Sequence, residues 1–196
     1  MTAFALIVAA GRGARMRTET PKQYLKLGGV AILRRTVQSF LGHPDISRVQ
    51  VVYHPDDEVL YQSALAGLSL PSPVHGGETR QDSVRLGLEA LATSNPDKVL
   101  IHDAARPFVT QSEISAVIEA LSNNDGALSA LPVVDTAKLQ GRREGDRRLV
   151  YNHGSHRVVL VARDQSASGR GHGRSRQDGR CHRVVVITHN QVAARR

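Results

Sequence analysis

Ala5-Leu-Ile-Val-Ala-Ala-Gly-Arg-Gly-Ala-Arg-Met-Arg-Thr-Glu-Thr-Pro-Lys-Gln-Tyr24 is the stretch whose reading decides the fold. The apolar run Phe4–Ala10 has the length and β-branched content of a buried strand. It breaks into a loop with two glycines, Gly11 and Gly13, followed by Arg15 and Lys22. Glycine lets backbone N–H groups approach an anion because no Cβ stands in the way. Arginine and lysine add fixed positive charge over the same anion. The combination points to a cradle for a nucleotide triphosphate. Its spacing is neither a dinucleotide fingerprint, since Met16 stands where the third glycine belongs, nor a P-loop, since no Gly-Lys-Ser/Thr follows. A tight strand-to-helix turn would also explain Gly-x-Gly by itself. Pro21-Lys22-Gln23-Tyr24 strengthens the reading of a cradle.

Outward from this stretch, strand and helix patterns alternate. Ala31–Leu41 has helical spacing, with Ile32, Leu33, Thr36, Val37 and Phe40 on one face. Val49–Tyr53 is a β-branched strand, Asp56–Ala66 a helix, and Val74-His75 a short strand running into Gly76-Gly77. Ser83–Ala92 and Glu113–Leu121 read as helices, and Lys98–His102 and Ala127–Val134 as strands. Such alternation predicts parallel βαβ units in an α/β, doubly wound, mostly parallel sheet. Ligands of these sheets bind beyond the carboxyl ends of the strands. Residues 11–22, 76–83, 103–106 and 135–136 would converge there.

Two of those segments carry further candidates. Gly76-Gly77 precedes a helix, so backbone groups there can read a base edge, and Ser83 can cap the helix or contact a ligand. Asp103 lies just past a buried strand and is suited to Mg²⁺, which takes carboxylate and phosphate oxygens. Arg106 can fork onto a phosphate. An Asp103–Arg106 surface ion pair is the plainer alternative. His102 reads as a structural histidine. The tail histidines lack the spacing of a metal site, and no zinc is expected.

The chain has 196 residues, enough for one domain with a core. Its net charge of +8 is uneven: residues 1–150 carry 17 Lys/Arg against 16 Asp/Glu, and residues 151–196 carry nine Arg against two Asp. No apolar run approaches the roughly 18 residues of a membrane span, and no leader pattern is seen. The lone cysteine, Cys181, leaves no internal disulfide and suits a reducing cytoplasm.

Five blocks, in order and spacing, resemble the 2-C-methyl-D-erythritol 4-phosphate cytidylyltransferases of the non-mevalonate isoprenoid pathway. They are Ala9-Ala10-Gly11-x-Gly13-x-Arg15-Met16, Pro21-Lys22-Gln23-Tyr24-Leu25, Gly76-Gly77-x-x-Arg80-x-x-Ser83-Val84, His102-Asp103-Ala104-Ala105-Arg106-Pro107-Phe108 and Pro132-Val133-Val134-Asp135-Thr136-Ala137-Lys138. The resemblance implies a Rossmann-like nucleotidyltransferase fold and cytidylyl transfer from CTP to methylerythritol phosphate, with release of pyrophosphate. It implies Arg15 and Lys22 as catalytic cations and Asp103 as the ligand of Mg²⁺ or another divalent cation. It implies CTP contacts at Ala9, Ala10, Gly11, Gly13, Gly77 and Ser83, and acceptor-phosphate contacts at Arg106 and Thr136. Glu78 stands where relatives often carry Asp. Cytidylyltransferases for ribitol or other sugar-alcohol phosphates share much of the pattern. The family is homodimeric and cytoplasmic.

The resemblance covers roughly residues 3–139, which we take as the nucleotide-binding domain; residues 140–196 read as an aberrant or disordered basic tail. The family's dimer arm, its later Thr-Pro-Gln segment and its late substrate-binding lysine are not recognisable in the tail. Only Tyr151 is aromatic beyond position 150, which argues against a nucleic-acid site. Codons for Asn152–Arg157 can be chosen so that, read one base later, they give Thr-Met-Asp-Arg-Thr-Gly. That resembles the Asp-Arg segment of the family's arm. Two further expectations follow: a tail translated out of frame, and, if so, a disrupted gene whose product is inactive.

Overall fold

The computed structural model describes residues 2–12, 20–124, 126–129, 149–151, 158–161 and 183–187. Strand β1 (Ala3–Ala9) is the centre of the molecule. A hairpin of β2 (Lys26–Leu27) and β3 (Val30–Ala31) leads into helix α1 (Ile32–Leu41) and strand β4 (Ile46–Tyr53). Helix α2 (Glu58–Leu65), strand β5 (Val74–His75), helix α3 (Arg80–Ala92), strand β6 (Lys98–Asp103) and helix α4 (Gln111–Asn123) follow. Strands β7 (Ala127–Ser129), β8 (Leu149–Tyr151), β9 (Val158–Val161) and β10 (Arg183–Ile187) complete the described elements.

Among these, β10-β6-β1-β4-β5 form one parallel sheet. The chain runs from β1 outward through β4 to β5, then returns to the other side of β1 as β6. The order therefore reverses beside β1, which opens a crevice at the carboxyl ends of β1 and β6.

Strand periodicity explains why helices cover both faces. Successive side chains point to opposite sides of a sheet. Ala3, Ala5, Ile7 and Ala9 join Val49, Val51 and Leu100 on one face, against Leu33, Val37 and Phe40 of α1 and Ile114, Val117 and Leu121 of α4. Phe4 and Leu6 join Val52, Val99 and Ile101 on the other, against Leu91 of α3. The doubly wound α/β expectation is met.

Three local readings differ from the structure. Helix α3 begins at Arg80 and not at Ser83, because Thr79 and Asp82 form a reciprocal capping box; Thr110 and Glu113 do the same for α4, which begins at Gln111. The patterns Thr-x-x-Asp and Thr-x-x-Glu were the signals for these starts. The β2–β3 hairpin was not expected; it turns on Gly28 and Gly29, both at positive φ (60° and 78°), the geometry that a two-residue hairpin turn requires. Finally, the segment expected to be irregular contains β8, β9 and β10. Strands β9 and β10 are Val-rich runs and β8 is Leu-Val-Tyr, residue types that favour a strand whatever the polarity of the sequence between them. Strand β10 takes the edge beside β6, and β7-β9-β8 form an antiparallel sheet.

Candidate active site

A cleft of about 780 Å³ opens at the carboxyl edge of the main sheet. The chain reaches it from β1 through Ala9, Ala10 and Gly11, from the segment after β5 through Gly77 and Ser83, and from β6 through Asp103 and Arg106. Lys22 enters from a single 3₁₀ turn, Lys22–Tyr24. Eight of the residues singled out from sequence thus line one cavity. Gly13, Arg15 and Thr136 lie outside the described residues.

The glycine segment after β1 is held from below. Buried Gln23 donates its side-chain amide to the carbonyls of Ala9 (2.6 Å) and Gly11 (3.1 Å). This clasp ties the Lys22 turn to the strand end, so the cation and the glycine segment share one rigid base. Gln23 was legible only as part of a motif; nothing in its type announces the role.

Gly76 and Gly77 are required by crowding and not by φ. The Gly76 N–H donates to the Tyr53 carbonyl at 2.7 Å, and a Cβ on Gly76 would stand 2.3 Å from the Cβ of Ala10. A Cβ on Gly77 would stand 2.5 Å from that of Asp82. The Ser83 hydroxyl, buried, accepts from the Gly77 N–H at 3.2 Å and donates to the Thr79 carbonyl at 3.0 Å. Ser83 therefore does not cap α3; it fixes the double-glycine turn while lining the cleft. Thr79 supplies the cap, and its N–H and hydroxyl, bonded to Asp82, hold that carboxyl below its ordinary range. We expect Gly76→Ala to separate the two glycine segments. Its signature is lost nucleotide affinity together with destabilisation of about 1–3 kcal/mol from overpacking, read by calorimetry and thermal melting.

Asp103 is the last residue of β6, and its carboxylate is gripped from two sides. Arg80 places Nη2 at 2.8 Å and Nε at 3.2 Å from Oδ1, and Arg106 places Nε at 3.0 Å from Oδ2. The Asp103–Arg106 ion pair, the plainer alternative to the ligand roles, is present, and Arg80 adds a second guanidinium. The turn beyond β6 is pinned: the Ala104 N–H donates to the Val8 carbonyl, Thr36 Oγ1 donates to the Ala104 carbonyl, and fully buried His102 donates from Nε2 to the Arg106 carbonyl at 2.9 Å. His102 also packs on Phe40. Its structural reading is met.

On the opposite wall Arg12 reaches Asp56 (2.5 Å) and His54 Nδ1 (3.0 Å). Behind it, burial first and the Asp57 carboxylate second push the phenol of buried Tyr24 above its ordinary range.

This geometry can be set beside known proteins. A sequence model of 2-C-methyl-D-erythritol 4-phosphate cytidylyltransferase (IspD) matches residues 3–152. The chain belongs to that family. The match runs past residue 139, where the motif blocks end. The bifunctional enzyme IspD/IspF of Paramagnetospirillum magneticum is 56% identical over 133 residues, covering 68% of this chain and 35% of that protein. The bifunctional enzyme IspD/IspF of Rhodospirillum rubrum is 54% identical over 135 residues, covering 68% and 35%. The chain thus spans about a third of the length of these curated relatives. A solved 4-diphosphocytidyl-2C-methyl-D-erythritol synthase superposes with a TM-score of 0.58 at 27% identity, covering 82% of this chain and 72% of that one. The bifunctional IspDF of Campylobacter jejuni shares the fold, with a TM-score of 0.59 at 19% identity over 82% and 41% of the two chains.

Proposed function

We propose that this cytidylyltransferase-family chain transfers a cytidylyl group from CTP to the phosphate of 2-C-methyl-D-erythritol 4-phosphate. An acceptor phosphate oxygen bonds to the α-phosphorus, the bond from that phosphorus to the bridging oxygen breaks, and pyrophosphate leaves. The product is 4-diphosphocytidyl-2-C-methyl-D-erythritol, made in the cytoplasm for non-mevalonate isoprenoid synthesis. The observation that carries the reading is the meeting, in one cleft, of two glycine segments, Lys22, Asp103 and Arg106, within a family match over residues 3–152.

The chemistry asks little of the protein beyond placement and charge. A phosphate monoester has its second pKa at about 6, so the nucleophile is already ionised near neutral pH and no general base is needed. Ala9, Ala10 and Gly11 approach the triphosphate without side-chain bulk. The N–H groups of the Gly76-Gly77 turn are engaged by the Tyr53 carbonyl and the Ser83 hydroxyl, which leaves the carbonyl side of Gly77 for the base. Lys22, with Arg15 from the same loop, opposes charge that develops on the phosphorus oxygens. Arg106 orients the acceptor phosphate, and Thr136 completes its surroundings.

The donor set fits Mg²⁺. No cluster of three or more His, Cys, Asp or Glu side chains stands together among the described residues. Mg²⁺ instead uses one or two carboxylates with substrate phosphates, and Asp103 is a single, one-quarter-exposed carboxylate facing the cleft. When bound there, the cation neutralises triphosphate charge.

No described helix is long and apolar enough to cross a membrane. The partners of this reading are CTP and a sugar-alcohol phosphate. A second reading is favoured by the end of the family match at residue 152. In it the chain binds CTP but transfers slowly, because the acceptor contacts expected beyond that point are supplied only in the shifted frame. Pyrophosphate release at matched CTP and acceptor, by the chain as written and by the frame-restored chain, tests both. Comparable rates support transfer by this chain, and a rate recovered only in the restored frame supports the second reading. No release by either overturns the proposed activity, and replacing methylerythritol phosphate with ribitol phosphate tests the acceptor.

A further inference from the structure

The carboxylate that fits Mg²⁺ is already paired in this structure. One carboxylate faces two guanidiniums, and both of its oxygens are engaged. A dication approaching this arrangement meets net positive charge, with Oδ1 taken by both Nε and Nη2 of Arg80 and Oδ2 shared with Arg106. Arg80 is the freer of the two arginines, its side chain 48% exposed against 39% for Arg106. Arg106 sits on the pinned turn, with its carbonyl held by His102 and its N–H by the Asp103 carbonyl. Arg80 is the first residue of α3, and its side chain is about half exposed. A cation at a helix N-terminus opposes the macrodipole, so Arg80 owes its position to the carboxylate and not to its own helix. It also lines the cleft alongside Gly77 and Lys22.

We propose that Arg80 guards Asp103: it occupies the carboxylate until a triphosphate draws the guanidinium away, so that nucleotide opens the cation site. The inference rests on the reading of the cleft as a CTP site. Phosphate offers the guanidinium a bidentate partner with more negative charge than one carboxylate, and only a short side-chain movement is required. Once Arg80 turns to phosphate, Oδ1 is released for the cation, with Arg106 still orienting Oδ2. Binding is then coupled, and the coupling is reciprocal. Arg80 is a positioning residue here, acting through Asp103 on one side and on the triphosphate on the other.

The test uses the full chain and needs no turnover. Mn²⁺ titration without nucleotide, followed by electron paramagnetic resonance, reads access to Asp103. Arg80→Gln should bind Mn²⁺ about tenfold more tightly than wild type, within the roughly 5–150-fold span of ordinary coupling. Arg80→Gln combined with Asp103→Asn should lose that gain. Arg80→Lys keeps the charge but gives up the two-nitrogen grip on Oδ1, and should fall between; it also serves if the glutamine variant melts early. In a second arm, CTP binding in excess chelator should weaken in Arg80→Gln by a similar factor while cytidine binding stays the same. Equal Mn²⁺ affinity in wild type and both Arg80 variants overturns the guard, as does a gain that survives Asp103→Asn. If wild type binds no CTP with or without Mg²⁺, the site reading fails, while the nucleotide-free Mn²⁺ arm still decides whether Arg80 blocks Asp103.

Discussion

Replacing Lys22 with alanine should lower kcat by about 10²–10³-fold, the usual cost of removing one donor to a developing oxyanion, with a far smaller loss of CTP affinity. The structure explains why the effect should be confined to chemistry. Lys22 is exposed at the cleft and makes no ion pair among the described residues, so its charge is available to the substrate. Its neighbours Gln23 and Tyr24 are buried and hold the turn through bonds that the substitution leaves intact. Steady-state pyrophosphate release and calorimetric CTP binding, in the chain as written and in its frame-restored form, separate the two quantities. A normal kcat with a raised KM would mean that Lys22 binds ground-state CTP and does nothing more.

Asp103→Asn should cut Mg²⁺-supported transfer at least about 100-fold, because a lost Lewis-acid contribution of several kcal/mol is worth a factor of ten for each 1.36 kcal/mol. The amide keeps the shape of the carboxylate and removes its charge. Stability should change little. The ion pairs to Arg80 and Arg106 are partly exposed, and such pairs contribute about 0–1 kcal/mol each, so a shift of a few degrees at most is expected in thermal melting. Full turnover at saturating Mg²⁺ would remove Asp103 from the site. A large loss of stability with unchanged turnover per folded molecule would leave it only the ion-pair role.

The helices whose apolar spacing is regular were readable to within a few residues, and β5 was readable to the residue. The late helix starts have one physical origin. Thr79 and Thr110 are polar and precede the apolar stripe, so a reading by hydrophobic period starts each helix too late; the capping boxes that set the true starts are hydrogen-bond patterns between side chain and backbone. The same limit hid Gln23. A buried amide that clasps two carbonyls from a remote strand has no local periodicity to betray it.

Residue type and order alone carried the α/β architecture, the carboxyl-edge location of the site and the family. Alternating strand and helix periods force parallel crossovers, and glycines followed by cations state their affinity for phosphate wherever they lie. Ser83, Arg80 and Gly76 required the folded chain. Ser83 could cap or bind until its hydroxyl was seen against Gly77. Arg80 was one residue of a motif until β6 brought Asp103 against the start of α3. Gly76 needs to be glycine because Ala10, far away in sequence, packs where its side chain would go. These are pairings between distant segments, and a linear reading of local chemistry contains no distance between them.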